Sequence, residues 1–239
     1  MGDRFSRKYI FTCEHASNQV PKEFGHLFEF DEAKDLLESH RGWDPGALQL
    51  AEILSENLSA PLFVYPWTRL LIEVNRSQGH PRLYSELSQN LTKREREKLL
   101  NNYYHLYRQR VEGAIETITE SGSQVVHVGI HSFVPELNGI KRDFEIGLLY
   151  DPSRASEKDF CREWKQRMKS KMPDMCVRMN QPYKGASDGF TTALRKKFDE
   201  VHYLGIELEV NQKLVLDENF VKQNGVVIAQ IISEITGSR

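Results

Sequence analysis

KYIFTCEHASNQVP, residues 8–21, is an apolar run that stops abruptly in Cys13, Glu14 and His15. YIFTC has strand-forming side chains and no helical period, so it reads as a buried β-strand. A strand ending in a thiol, a carboxylate and an imidazole brings reactive groups to one edge of its sheet. QVVHVGI (residues 124–130) repeats the pattern, ending in His131, and YLGIELEV carries Glu207 and Glu209. If these three strands are neighbours, His15, His131 and one of Glu207 or Glu209 converge on one edge.

The stretches between them set the fold class. GALQLAEILSENL spaces Ala47, Leu50, Ala51, Leu54 and Leu58 by threes and fours, the period of an amphipathic helix. PLFVY (61–65) and LLIEV (70–74) read as two strands around a turn at Pro66, and NRSQGHPRLYSELSQN reads as a loop. Thr92 with Glu95 forms a capping box, which opens a helix running through Tyr103, Leu106, Val111 and Ile115 toward Gly122. FEIGLLY (144–150) is a further strand. A helix over 160–171, a short CVRMN strand, a loop NQPYKGASDG, a helix near 191–197 and a last helix over 218–235 complete the chain. This alternation predicts an α/β fold: a mixed, largely parallel sheet flanked by helices on both faces, with ligands at the C-terminal strand ends. At 239 residues, without repeats or a linker, one domain over 1–239 is expected.

Lys and Arg number 32 against 34 Asp and Glu, a balance that argues against a nucleic-acid or membrane surface and for a small-molecule partner. MGDRFSRKYIF has charges where a secretory signal needs an apolar core, and no stretch reaches the length of a membrane span. Cys13, Cys161 and Cys176 are odd in number and lack CxxC spacing, so no disulfide framework is suggested. A cytoplasmic protein is expected.

Two imidazoles and a carboxylate suit a catalytic zinc, which takes nitrogen and oxygen donors and keeps one position for water. His15 alone reads as a structural histidine; its pairing with His131 on a second strand end points to metal. His26, His80, His105 and His202 lack such a context, and His127, inside its strand, reads as core. Asp44, in SHRGWDPGA beside His40, is either a helix N-cap or a ligand. Arg69, Asn75 and Arg76 bracket LLIEV. Two guanidinium forks near a metal suit an anionic substrate, and a surface ion pair with Glu73 is the competing reading. Cys13 with His15 as base would make a nucleophile pair, but alternation along an extended strand only lets the two share a face.

CEHASNQVP, HRGWDPGA, TRLLIEVNRS, HSF after a strand, NQPYKGASDGFT and ELEVNQKL occur in an order that resembles the N-formylglutamate amidohydrolase family over most of the chain. The resemblance implies a phosphorylase/hydrolase-like fold of the zinc carboxypeptidase and deacylase type, and hydrolysis of an N-acylated acidic amino acid such as N-formylglutamate. It implies a Zn²⁺ site with His15 and His131 as ligands, Glu209 as general base, and Glu207 as the rival base. Asn75 and Arg76 would hold a substrate carboxylate, Arg69 would polarise the scissile carbonyl or bind the second carboxylate, and Ser132 and Lys184 would contact substrate. The superfamily's His-x-x-Glu is here His15-Ala16-Ser17-Asn18. The third ligand then falls to Asp44 or Glu14, with Asp44 favoured because the family carries an aspartate there. A deacylase of another N-acyl amino acid or short peptide, or a non-catalytic binding protein, is the alternative.

Overall fold

The structure, a computed structural model, describes residues 6–235. The ends of the expected 1–239 unit, residues 1–5 and 236–239, lie outside the described residues, as does the start of the N-terminal stretch read for a secretory signal. In chain order the elements are β1 (Arg7–Cys13), a 3₁₀ turn (Lys22–Phe28), α1 (Asp31–Glu38), α2 (Ala47–Leu58), β2 (Leu62–Val64) and α3 (Lys93–Leu99). A π-helical segment (Leu100–His105) joins α3 to α4 (Leu106–Glu120). Then come β3 (Gln124–Phe133), β4 (Glu136–Leu137), β5 (Ile140–Lys141), β6 (Ile146–Leu149) and α5 (Ala155–Lys171). β7 (Val177–Met179), α6 (Phe190–Arg195), β8 (Tyr203–Asn211), α7 (Gln212–Val215) and α8 (Glu218–Ser233) end the order.

Six strands form one sheet in the order β2-β1-β3-β8-β6-β7. All neighbours run parallel except β6 against β8, so β1, β3 and β8 end on the same edge. Strand alternation sorts the side chains into two layers. Phe11 and Cys13 of β1, Val126, Val128 and Ile130 of β3, and Leu204, Ile206 and Leu208 of β8 share one apolar cluster with α2, α5 and α8. The opposite face starts apolar, with Ile10, Val125 and Tyr203 under Val111 and Ile115 of α4. It then turns polar along each strand, through Thr12 on β1, His127 and His131 on β3, and Glu207 and Glu209 on β8. The sheet therefore has one dry face and one face whose C-terminal half is a column of ionisable groups.

Three sequence expectations change. LLIEV (70–74) is a series of turns rather than a strand, although it is almost wholly buried. Its backbone is satisfied from loops, with Glu73 N–H donating to the Leu83 carbonyl and Leu71 N–H to the Thr68 carbonyl. Thr92 and Glu95 do form the capping box, but the long helix is not uniformly α. Buried Leu99 and Tyr104 are five residues apart, and the wide π turn brings both to the core side ahead of Tyr107, Arg108, Val111 and Ile115. Finally, α2 opens at Gly46, whose φ of 78° places it in the left-handed region, and no side chain caps it. The N-cap reading of Asp44 therefore fails.

Candidate active site

Along the C-terminal edge of β1, β3 and β8 the chain buries His15, Asp44, Glu73, His131 and Glu209 together with Glu14. His15 lies past the last residue of β1, where the chain has turned, and its backbone carbonyl accepts from Asp44 N–H at 2.9 Å. That turn sends Cys13 and His15 different ways. Cys13 packs in the dry-face cluster, where burial, then the charges of Glu14 and Asp44, push its thiol pKa up. The face-sharing expectation is overturned, and the cysteine is unsuited to nucleophilic attack.

Asp44 Oδ2 lies 3.0 Å from His15 Nδ1 and 2.9 Å from His131 Nδ1, and the two Nδ1 atoms are 3.2 Å apart. The other ring nitrogens meet carboxylates. His15 Nε2 is 2.7 Å from Glu73 Oε1, and His131 Nε2 is 3.4 Å from Glu14 Oε2. The His15 Nε2–Glu73 hydrogen bond fixes that ring, and the Nδ1 atoms of both imidazoles face the same Asp44 oxygen. Arg69 braces the set, donating to Glu73 Oε2 at 2.7 Å and to Asp44 Oδ1 at 3.3 Å, and the Tyr107 hydroxyl donates to Glu14 Oε1 at 3.2 Å.

The residues fit a metal ion. His15, Asp44 and His131 form a buried group with the donor spacing of an ion site. Tetrahedral zinc with bonds of about 2.0–2.1 Å has ligand–ligand edges of about 3.3 Å, close to the three spacings above. The charge balance agrees: Glu14, Asp44, Glu73 and Glu209 face one guanidinium, so the group favours added positive charge. Burial lowers the His131 pKa, but the hydrogen bond to Asp44 and the charges of Asp44, Glu14 and Glu209 more than reverse this and carry it to about 10. Burial and Arg69 pull His15 down, and Glu73 with Asp44 outweighs them. Despite burial, Asp44 is held well below the usual carboxylate range by His15, His131 and Arg69, and Glu73 by Arg69 and His15. A divalent cation meets the same electrostatic demand.

Glu209 pairs with His131 across the β3–β8 ladder. It is 5 % exposed, and its Oε2 is buried with no hydrogen-bond partner among the described residues. Burial pushes its carboxyl up to about 7 against the pull of His131, with Asp44 and Glu207 adding to the rise. Glu207, two residues earlier on the same face, is engaged: its Oε1 accepts from Thr191 Oγ1 at 3.0 Å.

The other sequence candidates have different surroundings. Asn18 donates to Glu38 Oε1 on the surface side and stays out of the cluster, whereas Asp44 enters it. Asn75 Oδ1 accepts from Phe190 N–H at 2.7 Å, and Asn75 N–H donates to Glu73 Oε1 at 3.1 Å. Arg76 Nη1 donates to the Asp188 carbonyl at 2.5 Å. Ser132 lies on the opposite face of β3 from His131, donating to the Pro45 carbonyl at 2.7 Å and accepting from Gln212 Nε2 at 3.2 Å. It ties β3 to the Pro45 carbonyl next to Asp44. Lys184 is exposed on its loop. Glu73 is the residue that sequence reasoning undervalued, treating it only as an ion-pair partner of Arg69. A lone carboxylate inside the apolar run LLIEV was the available signal, since a buried charge needs partners.

A mixed, largely parallel sheet with imidazoles and carboxylates gathered along its C-terminal strand edge is an α/β fold with a candidate metal-binding centre. The chain belongs to the N-formylglutamate amidohydrolase family, whose model matches residues 7–216. A gene product of Agrobacterium tumefaciens of known crystal structure is 28 % identical, with a TM-score of 0.81 over 95 % of this chain and 89 % of that one. An N-formylglutamate amidohydrolase from Ralstonia eutropha JMP134 is similar in fold at 16 % identity, with a TM-score of 0.76 over 98 % of this chain and 95 % of that one. No curated protein sequence matches the chain significantly. Among the described residues no helix is long and apolar enough to cross a membrane.

Proposed function

We propose that the chain is a metal-dependent amidohydrolase that cleaves the amide of an N-acylated acidic amino acid, with N-formylglutamate as the leading substrate, giving formate and glutamate. The observation that carries this reading is the pairing of a three-donor group, His15, Asp44 and His131, with the unpartnered carboxylate of Glu209 on the adjacent strand. A divalent ion, Zn²⁺ by its preference for nitrogen and oxygen donors, would be held by His15, Asp44 and His131 and would acidify water and polarise the carbonyl.

The protein groups do the rest. Glu209 Oε2 takes a proton from the attacking water as the C–O bond forms and then returns it to the amine nitrogen, and the C–N bond breaks once that nitrogen is protonated. A carboxyl whose burial already favours its protonated form suits that shuttle. Glu73 and Glu14 orient the two imidazoles, and Arg69 holds Glu73 and Asp44 in register, a positioning role rather than direct polarisation of the carbonyl. Asn75 ties Glu73 to the start of α6.

Formate release from N-formylglutamate by the purified protein, with and without prior chelation, tests this. Release that stops on chelation and returns with Zn²⁺ supports the reading. Release unaffected by chelation overturns the metal dependence, and no release from any N-acyl acidic amino acid overturns the hydrolysis.

A further inference from the structure

The guanidinium groups around this centre are not equivalent. Arg69 is bound to Glu73 and Asp44, and Arg76 to the Asp188 carbonyl. Arg142, just after β5, has no carboxylate partner among the described residues. Its Nη1 lies 3.4 Å from the Val134 carbonyl and 3.3 Å from the Tyr183 hydroxyl, both long. Its guanidinium lies over the rings of Phe133 and Tyr183, 5.8 and 5.1 Å from their centroids. Aromatic faces steady a guanidinium while leaving N–H donors free for an anion.

The fold brings this group to the edge of the candidate centre. Phe133 follows His131 by two residues on β3, and Asn211, two beyond Glu209 on β8, donates to the Arg142 carbonyl at 3.3 Å. Gly147 lies opposite Glu209 in the β6–β8 ladder, and a Cβ there would fall 2.0 Å from the Gln181 carbonyl oxygen and 3.2 Å from Glu209 Cβ. The segment leading to Tyr183 therefore passes beside Glu209 because residue 147 has no side chain. Tyr183 is 46 % exposed, and burial followed by the charge of Glu209 raises its phenol pKa. On its other side Arg142 lines a cleft of about 630 Å³, in which Lys141 and Arg178 outnumber the single acid, Asp143.

We propose that Arg142, steadied by Tyr183, anchors the side-chain carboxylate of the substrate, and that the basic cleft behind it receives that end of the molecule. The inference rests on the amidohydrolase reading and supplies its specificity. The side-chain carboxylate of an N-acylglutamate lies two methylenes farther from the scissile nitrogen than the α-carboxylate, so it is the one that reaches a residue at the lip. A guanidinium fork gives it charge-assisted, directional hydrogen bonds.

The test compares N-formylglutamate with N-formylglutamine on zinc-loaded parent, Arg142→Gln and Arg142→Lys, and titrates glutarate, which has no scissile amide, into each by calorimetry. The parent is expected to prefer the acid. Arg142→Gln should lose about 30-fold or more in kcat/KM on the acid, mainly through KM, while its kcat/KM on the amide stays within about twofold. Glutarate affinity should fall in parallel. Arg142→Lys keeps the stem and the charge but not the fork, so it should fold and recover only part of the loss. Unchanged acid preference and glutarate affinity in Arg142→Gln overturn the anchor while leaving hydrolysis standing. If the parent hydrolyses neither substrate, the hydrolase reading fails separately. Glutarate binding lost in Arg142→Gln then still supports the anchor, and glutarate binding that is absent from the parent or unchanged in the variant overturns it.

Discussion

Glu209 and Glu207 lie on the same face of β8 two residues apart, yet Glu209 is the one that pairs with His131, and its Oε2 is buried without a hydrogen-bond partner among the described residues. Glu209→Gln is nearly isosteric and cannot accept a proton, so it should retain bound metal and lose at least about 100-fold in kcat. Full activity in that variant, with none in Glu207→Gln, would transfer the role to Glu207. Among the ligands, Asp44→Asn should weaken metal affinity by more than the roughly 10- to 100-fold typical of losing an outer partner. Asn18→Ala should change it by less than about twofold, because Asn18 bonds Glu38 instead; competition with a chromophoric chelator measures both. His127 allows a prediction about pH. It is buried between Thr12 Oγ1 at 2.8 Å and the Tyr203 hydroxyl at 2.7 Å, and burial, with Arg195 and His131 adding, lowers its pKa to about 3. Between that value and the unfolded value of about 6.5 the unfolded chain binds the extra proton, so this contribution is full above pH 6.5 and is lost as pH falls. In urea titrations of chelated protein, the parent should lose up to about 1.4 kcal/mol per pH unit more than His127→Gln in that window. Equal slopes would show that His127 is not kept neutral by the fold.

Among the secondary-structure elements, α2 and α7 hold Asp44 in place. The backbone turns at Gly46 into α2, and a Cβ at Gly46 would meet the Val215 carbonyl oxygen at 2.5 Å and Val215 Cβ at 2.6 Å. Gly46→Ala combines left-handed strain with a clash against α7, so it should cost about 2–4 kcal/mol in urea unfolding and also weaken metal binding by moving Asp44. Stability within about 0.5 kcal/mol of the parent would mean that the turn relaxes freely. The strands that deliver His15, His131 and Glu209 were legible in the sequence, because buried parallel strands show as short apolar runs and their polar ends stand out. LLIEV was misread for the same reason. Its burial made it look like a strand, while its hydrogen bonds come from loops that the local pattern does not record. Glu73 was undervalued with it. Ser132, which the resemblance placed against substrate, lies on the opposite face of β3 from His131, as strand alternation dictates. Arg142 and Tyr183 meet only through the path of the 181–183 segment past Gly147, a tertiary contact that no spacing in the sequence reveals.

Across the fold as a unit, the sheet sets a dry face of packed apolar side chains against a face that gathers acids and imidazoles at one edge, and the proposed function requires that this edge hold one catalytic metal ion. The purified protein, dialysed against metal-free buffer after loading with Zn²⁺, is analysed for metal per chain alongside His15→Ala and His131→Ala, and formate release from N-formylglutamate is followed on the same samples. About one ion per parent chain, its loss in both variants, and formate release that tracks metal content are the predicted results. Metal retained in both histidine variants, or formate released at the parental rate by metal-free protein, would contradict the metal-dependent mechanism.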